Sequence, residues 1–100
     1  MSTVEWTPKA RKSLKRIAKY IAGKEHRPRV AEKLVNDIVA KCEQYANSPH
    51  IGWLHDALPD GFRYFVFKRY VVIFEALADG VRVHLVVDGA RDWPRLFPIK

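Results

Sequence analysis

A chain of 100 residues is long enough for one compact domain and too short for two. The hydrophobic fraction of 48% is ordinary for a globular protein and argues against disorder, and no apolar run approaches the roughly 18 residues of a membrane span. The single cysteine, Cys42, excludes an internal disulfide. The N-terminus lacks the apolar core of a signal peptide, so we expect a cytoplasmic protein. We also expect a single domain over residues 1–100 and no membrane partner.

The net charge of +7 is concentrated at one end of the chain. Residues 1–30 hold nine basic and two acidic side chains, a net charge of +7, whereas residues 31–100 hold nine of each. Such a positive end attracts nucleic acid, an acidic protein segment or a membrane surface, although a basic strip on a helix is often only a solvated face. The strip consists of Arg11, Lys12, Lys15, Arg16 and Lys19.

The first half of the chain predicts a short strand followed by a helical hairpin. Residues 3–6 form an extended segment, and Thr7-Pro8 supplies a cap and a first-turn proline for a helix that ends at Gly23. Pro28 starts a second helix, which Asn47-Ser48-Pro49 closes. The first apolar stripe is Ala10, Leu14, Ile17, Ala18 and Ile21; the second is Ala31, Leu34, Val35, Ile38, Cys42 and Tyr45. Cys42 therefore reads as a buried side chain and not as a reactive thiol.

The second half predicts three strands in a meander. After an irregular stretch over residues 50–61, aromatic and β-branched residues fill 62–67 and 70–77, with Lys68-Arg69 as a tight hairpin turn. Both faces of these strands are largely apolar, which predicts that both are covered. The fold class is therefore α+β, with the helical hairpin packed across a small antiparallel sheet.

The last predicted strand starts at the turn Asp79-Gly80, and its odd positions from Val81 to Val87 are all apolar. This alternation predicts one buried face, with Arg82, His84 and Val86 on the other. The strand ends in a corner, Gly89-Ala90-Arg91-Asp92. We expect the residues after it to fold back by burying Trp93 and Phe97.

These elements, in this order, resemble the RelE/ParE superfamily of bacterial toxin-antitoxin toxins, with its β-α-α-β-β-β fold. The resemblance covers nearly the whole chain. It rests on Ile17-Ala18-Lys19-Tyr20-Ile21, Asn47-Ser48-Pro49-His50-Ile51-Gly52, Gly61-Phe62-Arg63, Arg69-Tyr70-Val71-Val72-Ile73-Phe74 and Gly89-Ala90-Arg91-Asp92.

The resemblance favours the ParE branch. RelE-type toxins cut messenger RNA on the ribosome with lysines and arginines on the sheet, and those cationic positions fall here at Tyr64, Val66 and Val71. Arg91 alone of that set is retained, and the usual C-terminal tyrosine falls near Phe97. The ParE branch implies a toxin that binds and poisons DNA gyrase, with no catalytic residue, cofactor or metal. The alternatives are a ribosome-dependent mRNA endoribonuclease of RelE type, using Arg82, His84 and Arg91, and a toxin-like module that only binds partners.

The resemblance also implies where partners bind. A cognate antitoxin would lay an extended tail along the first helix and the sheet, and would carry the complex to operator DNA. The alternative to target contact is a structural role. Arg91 would then pair with Asp92, and Arg63 would find a partner inside the fold. His50, His55 and Asp56 lack a fourth ligand, so no metal site is expected. The residues predicted to contact the target are Arg63, Arg82, His84, Arg91, Asp92 and Trp93. Those predicted to contact the antitoxin are Arg11, Leu14, Lys15, Ile17 and Ile21.

Overall fold

Two helices pack across one face of a four-stranded sheet in the computed structural model, which describes residues 2–96. The elements are β1 (Thr3–Trp6), α1 (Pro8–Lys19), α2 (Pro28–Asn47), β2 (Phe62–Phe67), β3 (Tyr70–Leu77) and β4 (Gly80–Asp88). This confirms the α+β class and the predicted order of elements. Among the described residues, no helix has both the length and the hydropathy needed to cross a membrane.

The sheet is mixed, which corrects the expectation of a wholly antiparallel one. Its strand order is β1-β4-β3-β2, and β1 runs parallel to β4, with Thr3 opposite Gly80 and Trp6 opposite Val83. The three later strands are antiparallel, joined by short turns. A four-residue strand has no period that reveals its direction, so the sequence alone could not settle the pairing of β1.

Local chemistry starts and ends the helices. The Thr7 hydroxyl accepts a hydrogen bond from the Ala10 N–H at 3.0 Å, and Pro8 occupies the first turn, as predicted. The chain does not stop being helical at Gly23, because α1 continues into a π-helical turn over Tyr20–Lys24. His26 then takes a positive φ of 55°, and α2 begins at Pro28.

A β-bulge in β4 overturns the single alternating face that the sequence predicted. Ile73 pairs with Leu85 and Phe74 with Val83, so His84 is the extra residue of a bulge between these two pairs. Val83 and Val86 therefore face the helices, whereas Leu85 faces the opposite side. The prediction that Val86 shares a face with Arg82 and His84 was wrong because the bulge shifts the alternation.

Both faces of the sheet are covered, as their apolar character predicted. The helix side holds the larger core, in which Cys42 is 1% exposed and burial, with the nearby Glu43 charge, raises the pKa of its thiol to about 12. On the other side, Leu58 from the irregular stretch and Trp93 pack over the strands. Trp93 thus folds back as expected, whereas Phe97 lies outside the described residues. The buried members of this second cluster are Val71, Ile73, Leu85 and Val87.

Candidate partner-binding surfaces

A groove of about 490 Å³ lies where the end of α1 meets the β2–β3 turn and the end of β4. Ile17 and Tyr20 supply its apolar wall, and Tyr20 is 58% exposed. Burial raises the pKa of Tyr70, which lies on the opposite wall. The charged residues that line it are Arg16, Glu25, Arg69, Asp88 and Arg91. We call this depression the hairpin groove.

The Asp88 carboxylate contacts other groups of the same chain. It accepts a hydrogen bond from the Ala90 N–H at 2.9 Å and pairs with Arg69 Nη2 at 2.5 Å. The Ala90 N–H is the main cause that lowers the pKa of Asp88, with Arg69 and Arg91 adding to it. The Gly89 N–H also donates to the Arg69 carbonyl at 2.7 Å, which ties the end of β4 to the hairpin turn.

Arg16 and Arg91 give the hairpin groove its positive charge. Within residues 2–96, neither guanidinium has a carboxylate partner. Asp92 pairs instead with Arg95 at 3.2 Å, so the Arg91–Asp92 pair, which was the alternative to target contact, does not form. Two arginines beside an exposed tyrosine make this groove suited to a carboxylate or phosphate on a partly apolar partner.

A second depression continues from the hairpin groove along the start of α2. The two share Glu25, Arg69 and Tyr70, and the second adds the aliphatic side chains of Ile21, Val30 and Leu34. Its other cations are Arg27, which pairs with Glu25 at 3.7 Å, together with Lys33 and Lys68. The two depressions together form a longer surface with an apolar floor and a basic rim. Such a surface suits an extended or helical segment of a partner.

Residues 4–93 match the family model described as ParE toxin of type II toxin-antitoxin system, parDE. The chain belongs to the ParE toxin family. It is a ParE-type toxin, and such a system implies an antitoxin as partner.

One solved structure, titled "Chromosomal ParDE TA system from P. aeruginosa", has the same fold. It is 21% identical to this chain, with a TM-score of 0.68 over 88% of this chain and 96% of that one. Comparison with curated protein sequences found no match.

In this ParE-family chain, the three positions where RelE-type toxins carry cations are spread over different surroundings. The Tyr64 ring lies tilted against that of Trp93 with ring centroids 4.9 Å apart, Val66 is 56% exposed on β2, and Val71 is buried in the sheet. None of these three residues is a cation.

Arg82 and His84 come together in an ion-pair network on the face opposite the helices. Arg82 Nε donates to Glu5 at 3.2 Å and its Nη1 donates to Glu75 at 3.1 Å. His84 Nε2 lies 3.1 Å from the same Glu75 oxygen, and its ring is 4.8 Å from that of Phe62. The Glu5 hydrogen bond is the main reason that the pKa of Arg82 is raised. Two carboxylates therefore neutralise the Arg82 charge.

The other residues predicted to contact a target do not join this network. Arg63 donates to the Gly52 carbonyl at 2.9 Å, which is the internal partner that the sequence anticipated as its alternative role. Trp93 packs on Tyr64 and lies 5.0 Å from the His55 ring. Arg91 lines the hairpin groove on the helix side. The six residues therefore do not form one patch, and their contact with a target stays a prediction.

The residues predicted to contact the antitoxin divide between core and surface. Leu14 and Ile21 are only 8% and 6% exposed and belong to the core, so their side chains offer little surface. Ile17 is half-buried and lines the hairpin groove, whereas Arg11 and Lys15 lie exposed on α1. Their contact with an antitoxin also stays a prediction.

Sequence reasoning missed the far wall of the hairpin groove, formed by Arg69, Tyr70 and Asp88. The available signal was the pairing of the first residue of β3 with the last residue of β4, which places the Lys68-Arg69 turn beside the Gly89-Ala90 corner. Among residues 2–96, no group of three or more His, Cys, Asp or Glu is arranged to hold a metal. His55 makes a contact inside the fold, because its Nδ1 accepts a hydrogen bond from the Ala57 N–H at 2.9 Å.

Proposed function

We propose that this chain inhibits DNA gyrase by binding it, without catalysis, and that its cognate antitoxin neutralises it. The observation that carries the proposal is the family match over residues 4–93. The action proposed is to trap the topoisomerase on cleaved DNA, in the cytoplasm where gyrase works. The antitoxin, in turn, would carry the complex to operator DNA.

The placement of Arg82, His84 and Arg91 supports a binding mechanism. Arg82 lies between Glu5 and Glu75, whose carboxylates offset its charge. Arg91 lines a groove on the helix side, whereas His84 contacts Glu75 on the opposite face. A ribonuclease needs its base and its cations around one phosphorus, and these three side chains lie on two sides of the sheet.

A gyrase cleavage assay tests the proposal directly. Purified protein is titrated into gyrase, supercoiled plasmid and ATP, the reaction is stopped with detergent, and linear DNA is scored. We expect linear DNA to rise with protein concentration and to disappear when purified antitoxin is added first. No change in cleavage or supercoiling at excess protein would remove gyrase as the target.

The RelE-type alternative is tested with His84→Ala. Loss of a general base costs about 10²- to 10⁴-fold in rate, whereas loss of one peripheral contact in a binding interface costs only a few-fold. We expect His84→Ala to retain toxicity within about fivefold in a growth assay. Abolished toxicity, together with cleavage of ribosome-bound message by the unmodified protein, would replace the gyrase proposal with the ribonuclease one.

The antitoxin is proposed to occupy the hairpin groove and its continuation along α2. Ile17 and Tyr20 offer apolar contact, and Arg16 with Arg91 offers two cations for an acidic side chain on the tail. The predicted contacts of Arg11 and Lys15 would lie beside it on the outer face of α1, with Leu14 and Ile21 beneath as support.

Calorimetry with the antitoxin encoded beside this gene tests that site. We expect Tyr20→Ala and Arg91→Glu each to weaken binding at least tenfold. The first substitution removes part of the apolar wall of the groove, and the second reverses one of its charges. Lys41→Glu makes the same charge change on α2 outside the groove lining and serves as the control. Equal weakening by Lys41→Glu would refute the groove as the antitoxin site.

A further inference from the structure

The outward face of α1 carries five cations and no acid. At 100° and 1.5 Å per residue, they cover an arc of roughly 140° and a length of about 12 Å along the helix. All five residues are exposed. They are Arg11, Lys12, Lys15, Arg16 and Lys19, and we call them the basic face.

The fold leaves the charge of the basic face uncompensated. Every ion pair among residues 2–96 is formed elsewhere, by Arg27, Lys33, Arg69, Arg82, His84 and Arg95. Further cations border the face: Lys9 and Lys12 share a depression with Arg16, and Arg91 shares the hairpin groove with Arg16. A patch of this kind produces a positive field that only an external anion can neutralise.

We propose that the basic face binds the phosphate backbone of duplex DNA without reading its sequence. Lysine and arginine side chains spaced along one helix face neutralise successive phosphates, and this contact needs no fixed geometry at the bases. This inference goes beyond gyrase inhibition, because the toxin itself would hold DNA in the absence of any protein partner.

In the toxin without its antitoxin, the surroundings of the basic face favour DNA over an apolar protein surface or a membrane. Protein interfaces are depleted of lysine at their centres and enriched in aromatic residues, yet the apolar residues between Arg11 and Lys19 are buried or half-buried. A membrane-bound helix must insert its apolar face, but Ala10 and Leu14 are buried in the core. The mixed apolar and basic hairpin groove is the surface suited to a peptide.

Fluorescence anisotropy of a labelled 20-bp duplex of mixed sequence, titrated with the full chain, tests the proposal. If about four phosphates are neutralised, the slope of log K against log salt is about −3.6, and affinity falls roughly 150-fold between 50 and 200 mM NaCl. The test variant is K12Q/K15Q/K19Q. We expect it to weaken binding at 50 mM NaCl by at least about 10-fold and to flatten the salt slope by about 2.7.

The matched control is K24Q/K41Q/K68Q, which removes the same charge outside the basic face from lysines that have no ion pair among residues 2–96. We expect it to bind the duplex within about threefold of the unmodified chain, and circular dichroism verifies that both variants fold. Equal loss in the two triple variants would overturn the proposal, as would the absence of duplex binding at 50 mM NaCl. Binding of polyglutamate or of anionic vesicles, but not of the duplex, would assign the face to a protein or a membrane. Gyrase is absent from this assay, so its outcome is independent of the proposed function.

Discussion

The backbone N–H of Val86 donates a hydrogen bond to the Ser13 hydroxyl at 3.0 Å, which joins β4 directly to α1. β1 pairs with β4 only as far as Val83, and just beyond it the Thr7 N–H donates to the Val83 carbonyl at 3.1 Å. Further along β4, the Ser13 side chain takes the place of a strand partner. The helix that presents the basic face is therefore attached to the sheet by a polar contact as well as by its apolar stripe.

Ser13→Ala should destabilise the protein by about 1–2 kcal/mol, because the Val86 N–H would lose its acceptor in a buried position. Ser48→Ala is the control, since Ser48 is exposed and its side chain makes no hydrogen bond among the described residues. Urea unfolding followed by tryptophan fluorescence measures both, and amide exchange should become faster at Val86. Equal stability of the two variants would show that the hydrogen bond contributes nothing.

Gly80→Ala should be the more damaging of two glycine substitutions. A Cβ at Gly80 would lie 1.9 Å from the Thr3 carbonyl oxygen and 2.7 Å from the Thr3 nitrogen, and a backbone in a paired strand cannot move aside cheaply. We expect a loss of roughly 3 kcal/mol as β1 separates from β4.

Gly23→Ala provides the contrast for that experiment. A Cβ at Gly23 meets nothing within 4 Å, and the residue lies in the helical turn after α1. Alanine there should stabilise the protein by about 0.5–1 kcal/mol by restricting the unfolded chain. Thermal unfolding of both variants measures the difference, and a stable Gly80→Ala protein would contradict the close approach of Thr3.

The sequence predicted most of the elements because their signals are local. Thr7 and Pro8 fix the start of α1, and the change from helical spacing to runs of aromatic and β-branched residues marks the strands. The Lys68-Arg69 turn follows from two residues between two such runs. The same signals predicted the order of the elements, and the resemblance to the RelE/ParE fold rests on that order.

What the sequence could not predict depends on contacts between distant elements. The bulge at His84 exists because β3 and β4 differ by one residue across that stretch, which no alternation within β4 reveals. Likewise, the helical stripe correctly placed Leu14 on an apolar face of α1. Only the packing shows that this face is buried in the core and offers little surface to a partner. The hairpin groove combines α1 with the ends of β3 and β4, so its lining is invisible to helix spacing alone.

Cys42 should resist thiol reagents in the folded protein. Its side chain is 1% exposed and burial raises the pKa of its thiol to about 12, so only roughly one thiol in ten thousand is ionised at pH 8. Mass spectrometry after iodoacetamide treatment should show no adduct in buffer and complete modification in 6 M guanidinium chloride. Rapid modification in buffer would mean that α2 separates readily from the sheet.

The stability conferred by Asp88 should depend on pH. Its pKa is lowered in the folded chain, chiefly by the Ala90 N–H, so its contribution is present above the ordinary aspartate pKa of about 4 and is lost as pH falls through the lower folded value. At pH 7, Asp88→Asn should therefore unfold at a lower urea concentration than the unmodified chain. The difference between the two proteins should shrink as pH falls from about 4 towards 2.

Asp60→Asn is the control for the Asp88 experiment, because Asp60 is exposed and has no ion pair among the described residues. Its substitution should change the free energy of unfolding by less than about 0.5 kcal/mol at pH 7. Urea titrations at pH 7, 4 and 3 compare the three proteins. If Asp88→Asn differs from the unmodified chain by the same amount at every pH, the ionised carboxylate is not what holds the end of β4 against Arg69. The wall of the hairpin groove would then depend on the Gly89 N–H bond to the Arg69 carbonyl instead.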